Sequence, residues 1–216
     1  MPTAAERYFM AGFKIVDLHP STKMACGHDK NGIAIEARPT MWQCDATLNL
    51  GLKTGEDFWV LDVDGDVGQK ALTWLEWAIG SRGLERAHHV VQTGKGIHIY
   101  FAKEPELYIP TCTRLMPGID VLGQDGMVVA PPSIHENGKS YRFVEPTDYR
   151  YAGALPAPEK LVQLVQLGES RRIAPNAKNS GPSFSTAVDK IDSVKASPVK
   201  EYDAIRTGYS RYAKED

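Results

Sequence analysis

The sequence predicts an α+β fold, a mostly antiparallel sheet with helices on one side. Two observations carry that expectation. Short β-rich segments crowd the middle of the chain, at 58–64, 88–93, 97–102, 118–122, 127–130 and 140–144, and turn-forming residues separate most of them. Helical spacing is confined to a few stretches, whereas a doubly wound parallel sheet needs regular strand–helix alternation.

Taken in order, residues 3–11 read as a short helix and GFKIVDL (12–18) as a strand, with Phe13 and Ile15 alternating against polar neighbours. His19 to Gly32 is rich in Pro, Ser, Gly, Asn and Asp and reads as loop. LNLGLKTG (48–55) gives a short strand and turn. FWVLDVD (58–64) is the strongest strand, apolar and β-rich, ending in acids and Gly65. Over 68–79, Ala71, Leu72, Leu75, Ala78 and Ile79 stand at helical spacing, and Gly80 supplies a stop. HHVVQT and IHIYFA are strands joined by Gly94-Lys95-Gly96; GIDVL, MVVA and SYRFV follow. Helix returns at 158–167 with Leu161, Val162, Leu164 and Val165. The expected organisation is one domain over 1–167, a Ser/Pro/Gly-rich linker over 168–186 and a charged helical or disordered tail over 187–216, the whole reading as one piece of a longer protein.

Composition narrows the function classes. The 216 residues are 42% hydrophobic and 24% charged, ordinary for a globular chain. Twenty-five basic and 27 acidic side chains give a net charge of −2, unevenly spread: residues 1–170 hold 16 basic and 21 acidic, residues 171–216 hold 9 and 6. An acidic body argues against tight non-specific nucleic-acid binding, which comes from neutralised phosphates. It fits either a solvated surface or a carboxylate cluster awaiting cations. No apolar run approaches the length of a membrane span, and Glu6 and Arg7 interrupt the N-terminus where a signal peptide needs an apolar core. Cys26, Cys44 and Cys112, odd in number and scattered, fit a reducing cytoplasm.

Four features carry chemistry. Asp62 and Asp64 close an apolar strand, so they share one face, roughly 6.6 Å apart along the chain. Two such carboxylates repel unless a proton or cation separates them, and a hard dication such as Mg²⁺ or Mn²⁺ takes oxygen ligands; an ordinary strand end entering an acidic turn has the same pattern. In Thr93-Gly94-Lys95-Gly96-Ile97-His98, glycine amides and Lys95 suit an anion. The spacing is not that of a Walker A loop, and a plain hairpin turn with Lys95 in solvent also accounts for it. His98 shares a face with Tyr100 while Ile97, Ile99 and Phe101 line the other. Asp120 is a lone carboxylate within the apolar strand GIDVL, disfavoured there unless partnered. Ala130-Pro131-Pro132-Ser133-Ile134-His135 stiffens the backbone before a hydroxyl and an imidazole. Cys26, His28 and Cys44 supply three zinc-type ligands without a paired C-x₂-C, and unpaired structural cysteines explain them better.

Together these segments resemble the primase-polymerase domain of the archaeo-eukaryotic primase superfamily, in the form found in phage and plasmid replication proteins. The resemblance spans about residues 5–160 and its pieces come in family order: RYFMAGFKIVDLHP, CDATLNLGLKTG, FWVLDVDGD, TGKGIHIYF and PGIDVLGQDGMVVAPPSIHENGKSYRF. It implies an RRM-like antiparallel half packed against a smaller α/β half. It implies template-directed nucleotidyl transfer with Asp62, Asp64 and Asp120 as metal-binding triad for two Mg²⁺ or Mn²⁺ ions, and His98 on the incoming dNTP or NTP, with Lys95 and Gly96 beside it. Ser133 and His135 fall where the family often has a phosphate-side Ser and a following His. The implied partners are a single-stranded DNA template and primer, with a helicase domain or protein downstream, in a bacterial host cytoplasm. Three departures leave the acids untouched. The stretch between CDAT and NLGL is short, Leu122 stands where the family frequently has Arg, and Thr22-Lys23-Met24-Ala25 replaces a Gly-Lys-x-Pro loop.

Two rivals come from other classes. Val60-Leu61-Asp62-Val63-Asp64-Gly65 also resembles the haloacid-dehalogenase phosphohydrolases, with Asp62 as nucleophile, although that motif usually opens its fold. A non-catalytic RRM-like module would stack bases on paired aromatics, and Tyr100 and Phe101 point to opposite faces.

Overall fold

The structure, a computed structural model, describes residues 3–32, 34–36, 48–84, 89–144 and 155–173. The chain divides after Ile173 into two units. The second, with most of the expected linker and all of the charged tail, falls outside the described residues.

The first unit runs α1 (Ala4–Met10), β1 (Ile15–Leu18), β2 (Asn49–Lys53), β3 (Phe58–Asp64), α2 (Gly65–Ile79), β4 (His89–Gln92), β5 (Gly96–Ala102), β6 (Cys112–Met116), β7 (Ile119–Leu122), β8 (Met127–Ala130), β9 (Arg142–Phe143) and α3 (Glu159–Ile173). The short α1 is held by a capping box in which Thr3 Oγ1 accepts from the Glu6 N–H and the Glu6 carboxylate accepts from the Thr3 N–H. A three-stranded sheet has the order β1-β2-β8 and a six-stranded sheet the order β6-β7-β3-β5-β4-β9. The named strands pair antiparallel throughout, so the α+β expectation holds.

Strand alternation gives the six-stranded sheet two different faces. Trp59, Leu61 and Val63 of β3 join Ile97, Ile99 and Phe101 of β5 in one core, covered by Leu72 and Leu75 of α2 and Leu161 and Val165 of α3. Each fully buried side chain of this kind contributes about 1.5–3 kcal/mol. On the opposite face Phe58, Val60, Val91 and Tyr100 meet Tyr8, Ile15, Leu52 and Val128, so α1 and the small sheet cover it. That second face is apolar only in part. One step along β3 past Val60 it carries Asp62, and one step along β5 past Tyr100 it carries His98.

Two helix boundaries and one strand depart most from expectation. Helix α2 begins at Gly65 rather than 68. Helix α3 runs to Ile173, six residues into the segment read as linker; Glu169, Arg171 and Arg172 are good helix formers, and a single Gly168 costs only about 1 kcal/mol. Strand β6 has no counterpart in the sequence reading. Its registers, Cys112↔Val121 and Met116↔Ile119, set five residues against three, and a bulge of that kind breaks the alternation by which strands are recognised. No helix of the described residues is long and apolar enough to cross a membrane.

Candidate active site

Three central strands bring the predicted residues into one row. Asp62 of β3 pairs with Asp120 of β7 on one side and with His98 of β5 on the other. Directly opposed antiparallel residues share a face, with Cβ atoms roughly 4.5–5.5 Å apart, so Asp120, Asp62 and His98 line up across the sheet. Asp64 lies one alternation further on the same face. It is exposed and occupies the N-cap of α2 without its side chain capping the helix, which leaves the carboxylate for other use. Glycines bring the neighbouring turns close. Gly118, at φ 73°, packs against Gly68 at the start of α2, where a Cβ on either would strike the other's backbone. The Asp64 N–H donates to the Gly118 carbonyl at 2.8 Å.

Burial sets the charge state of the row. The Asp62 side chain is 12% exposed and that of His98 4%, and Nε2 of His98 stands 3.4 Å from Oδ1 of Asp62. Asp62 Oδ1 and His98 Nδ1 are both buried with no hydrogen-bond partner. Burial first, then the charge of Asp64, pushes the Asp62 carboxyl up to about 7; Lys23 pulls the other way, and Asp120 adds a lesser push. Burial, followed by Lys23, drives His98 down to about 3. Near neutrality the imidazole is therefore uncharged and faces a carboxyl poised between its two forms. Tyr141 closes the site, its ring centroid 5.8 Å from that of His98 and 6.0 Å from that of His135. Burial first, then Asp62 and Asp64, raises its hydroxyl to about 12.

The glycine turn is built for packing rather than as an open anion cradle. The N–H groups of Lys95 and Gly96 both donate to Thr93 Oγ1, at 3.2 and 2.8 Å. A Cβ on Gly96 would run into the Val63 carbonyl, and one on Gly94 into the His135 ring. Lys95 is an exposed cation paired with Glu136 at 2.9 Å. The amides that the spacing offered to a phosphate are thus engaged within the turn, and Lys95 has a carboxylate of its own.

Ser133 and His135 are buried, at 4% and 6% exposure. Ser133 Oγ accepts from the Leu50 N–H at 2.8 Å, which ties the Pro-Pro-Ser turn to β2. His135 Nδ1 accepts from the Asn137 N–H, and Asn137 Nδ2 donates to the Gly94 carbonyl at 2.8 Å. Two residues of this neighbourhood escaped the sequence reading. Asn49, 2% exposed, donates through Nδ2 to the Thr22 and Ile134 carbonyls at 3.1 and 2.7 Å and accepts from the Ile134 N–H at 2.9 Å. It thereby joins the loop carrying Lys23 to the turn carrying His135. Arg114, in the β6 bulge, donates its backbone N–H to Asp120 Oδ1. No spacing rule finds either residue, because their partners are remote in sequence or lie in an unrecognised strand.

The donor chemistry fits a hard dication: three carboxylates on one face, one of them with a buried, unpartnered oxygen. Among the described residues, though, no three His, Cys, Asp or Glu side chains are gathered tightly enough to hold a metal as they stand. An oxygen of Asp120 is turned to Arg114, and Asp64 stands at the exposed strand end. Cys26 and Cys112 are free thiols, and Cys44, the third member of the weighed zinc set, lies outside the described residues.

The six-stranded antiparallel sheet of this α+β domain carries two acids and a histidine in register across its central strands. The chain belongs to the Prim-Pol family, described as bifunctional DNA primase/polymerase, N-terminal, which matches residues 5–160. That span holds Asp62, Asp64, His98, Asp120, Ser133 and His135, and membership implies a primase/polymerase-type nucleotidyltransferase. No curated protein matches the chain in sequence.

Proposed function

We propose that this chain is a template-directed nucleotidyl transferase of phage or plasmid replication. It would join the 3′-hydroxyl of a primer to the α-phosphate of an incoming dNTP or NTP on a single-stranded DNA template. The observation that carries the reading is the in-register row Asp120–Asp62–His98, in a chain of this family. The antiparallel strands β7, β3, β5 and β4, with α2 on one face, support reading this half as RRM-like.

In this reading Asp62, Asp64 and Asp120 hold Mg²⁺ or Mn²⁺, and three negative charges suit two dications with charge to spare for a triphosphate. Such a pair supplies charge neutralisation for the polyphosphate and acidity for the 3′-hydroxyl. The 3′-oxygen then attacks the α-phosphorus, the bond to the β-phosphate oxygen breaks, and pyrophosphate leaves. His98, uncharged, offers an N–H rather than a positive charge. Its Nδ1 is sealed from solvent, so a phosphate approaches it along the Nε2 edge that faces Asp62. Tyr141, its ring centroid 5.8 Å from that of His98, walls the site.

The test is incorporation of labelled dNTPs or NTPs on a DNA template with Mg²⁺ or Mn²⁺, with and without primer. Wild-type protein incorporates label, and Asp62→Ala and Asp120→Ala abolish synthesis while retaining the wild-type circular-dichroism spectrum. Synthesis surviving both substitutions removes the acids from the mechanism. Release of phosphate from small phosphoesters without incorporation favours the phosphohydrolase instead.

A further inference from the structure

Arg114 combines three properties that its neighbours do not share. It adopts φ 58°, in the left-handed region that L-residues other than Asn and Asp avoid. The other described non-glycine residues there are Ser21 and Asp125, which lie in turns; Arg114 alone sits inside a strand, where five residues oppose three. Its backbone N–H holds an oxygen of Asp120. The residue is exposed, and among the described residues no ion pair or hydrogen bond engages its guanidinium.

A bulge beside a site re-aims a side chain, and strain retained there points to use. An arginine next to a carboxylate ordinarily closes a bidentate pair with it. Here the backbone takes the carboxylate, which frees the guanidinium for another anion. Its planar fork matches phosphate oxygens.

We propose that Arg114 is a phosphate-binding residue of this site, its N–H fixing Asp120 while its guanidinium takes a substrate phosphate. The phosphate belongs either to the triphosphate of the nucleotide or to the backbone of the primed template. Which substrate brings it rests on the primase/polymerase reading above.

Arg114→Gly isolates the side chain. Glycine occupies φ 58° without strain and keeps the N–H to Asp120, so Tm is equal to or above that of the wild type. Binding is followed by fluorescence anisotropy with labelled dATP and, separately, with labelled primed DNA across a salt series. A loss of about tenfold for dATP with DNA unchanged assigns the triphosphate. A loss for DNA, with the slope of log K against log salt shallower by about one, assigns the backbone phosphate. Both affinities within about twofold of wild type overturn the proposal. If Arg114→Gly fails to fold, Arg114→Gln is judged by the same two curves. Wild-type incorporation is assayed in parallel. Failure there with binding lost in Arg114→Gly overturns the polymerase reading and keeps Arg114; incorporation with binding unchanged does the reverse.

Discussion

Gly94 packs against the imidazole of His135, so close that a single added methyl would overlap the ring. Its backbone is not in the left-handed region, so glycine is required by space and not by conformation. Gly94→Ala must push aside His135, a side chain 6% exposed, and with it the contact to Tyr141. Overpacking of this kind costs about 1–3 kcal/mol. Urea denaturation of the variant checks the figure, and primer extension falls with it. An alanine variant as stable and active as wild type would show that the turn yields freely.

Asn49 makes a second prediction. Its three hydrogen bonds span 27 residues to Thr22 and 85 to Ile134. Asn49→Ala leaves partly buried backbone groups of Thr22 and Ile134 without this partner, at a cost of about 1–3 kcal/mol in unfolding free energy. Asn49→Asp keeps the acceptor; ionised, it sets a carboxylate against two carbonyl oxygens and is less stable than wild type, and the deficit shrinks at low pH, where the protonated acid regains one donor. Denaturation curves of the three proteins give the order.

Much of the fold was legible because its strands announce themselves locally. Phe58–Asp64 and Met127–Ala130 match their sequence spans to the residue, being apolar, β-branched and bounded by turn formers. The face of His98 was legible from alternation with Ile97 and Ile99, and the sharing of a face by Asp62 and Asp64 from the same rule. What sequence could not give is distance between strands. Asp120 was known as a lone acid, but its place opposite Asp62 depends on β7 pairing with β3. Spacing leaves the Gly94-Lys95-Gly96 turn open between an anion site and a plain hairpin; the structure adds that Gly94 abuts the His135 ring, that Gly96 abuts the Val63 carbonyl, and that Thr93 takes the Lys95 and Gly96 amides. Strand β6 was invisible because its bulge scrambles the pattern.

Gly118 yields a third prediction. It turns between β6 and β7 at φ 73°, against the backbone of Gly68. Gly118→Ala is strained by conformation and by space together, and lifts the hairpin that carries Asp120 away from α2. Stability falls by about 1–3 kcal/mol. Incorporation falls further than the unfolded fraction accounts for, since Asp120 shifts relative to Asp62. Comparing active fraction with folded fraction at one temperature separates the two effects.

The raised Asp62 carboxyl makes stability depend on pH in a direction opposite to that of a salt-bridged acid. In the unfolded chain it titrates near the ordinary value of about 3.9; in the folded protein burial and its fellow acids carry it to about 7. Between these values the unfolded state holds fewer protons than the folded one, so unfolding free energy falls as pH rises. The contribution is present below about pH 4 and lost by about pH 7, a swing of at most about 4 kcal/mol. Asp62→Asn cannot ionise and escapes the fall. It matches wild type near pH 4 and exceeds it near pH 8 in metal-free denaturation. Adding Mn²⁺ at the higher pH raises the wild-type midpoint and leaves that of Asp62→Asn nearly unmoved. A wild-type protein that gained stability relative to Asp62→Asn across the same range would mean that favourable partners, not burial, govern this carboxylate.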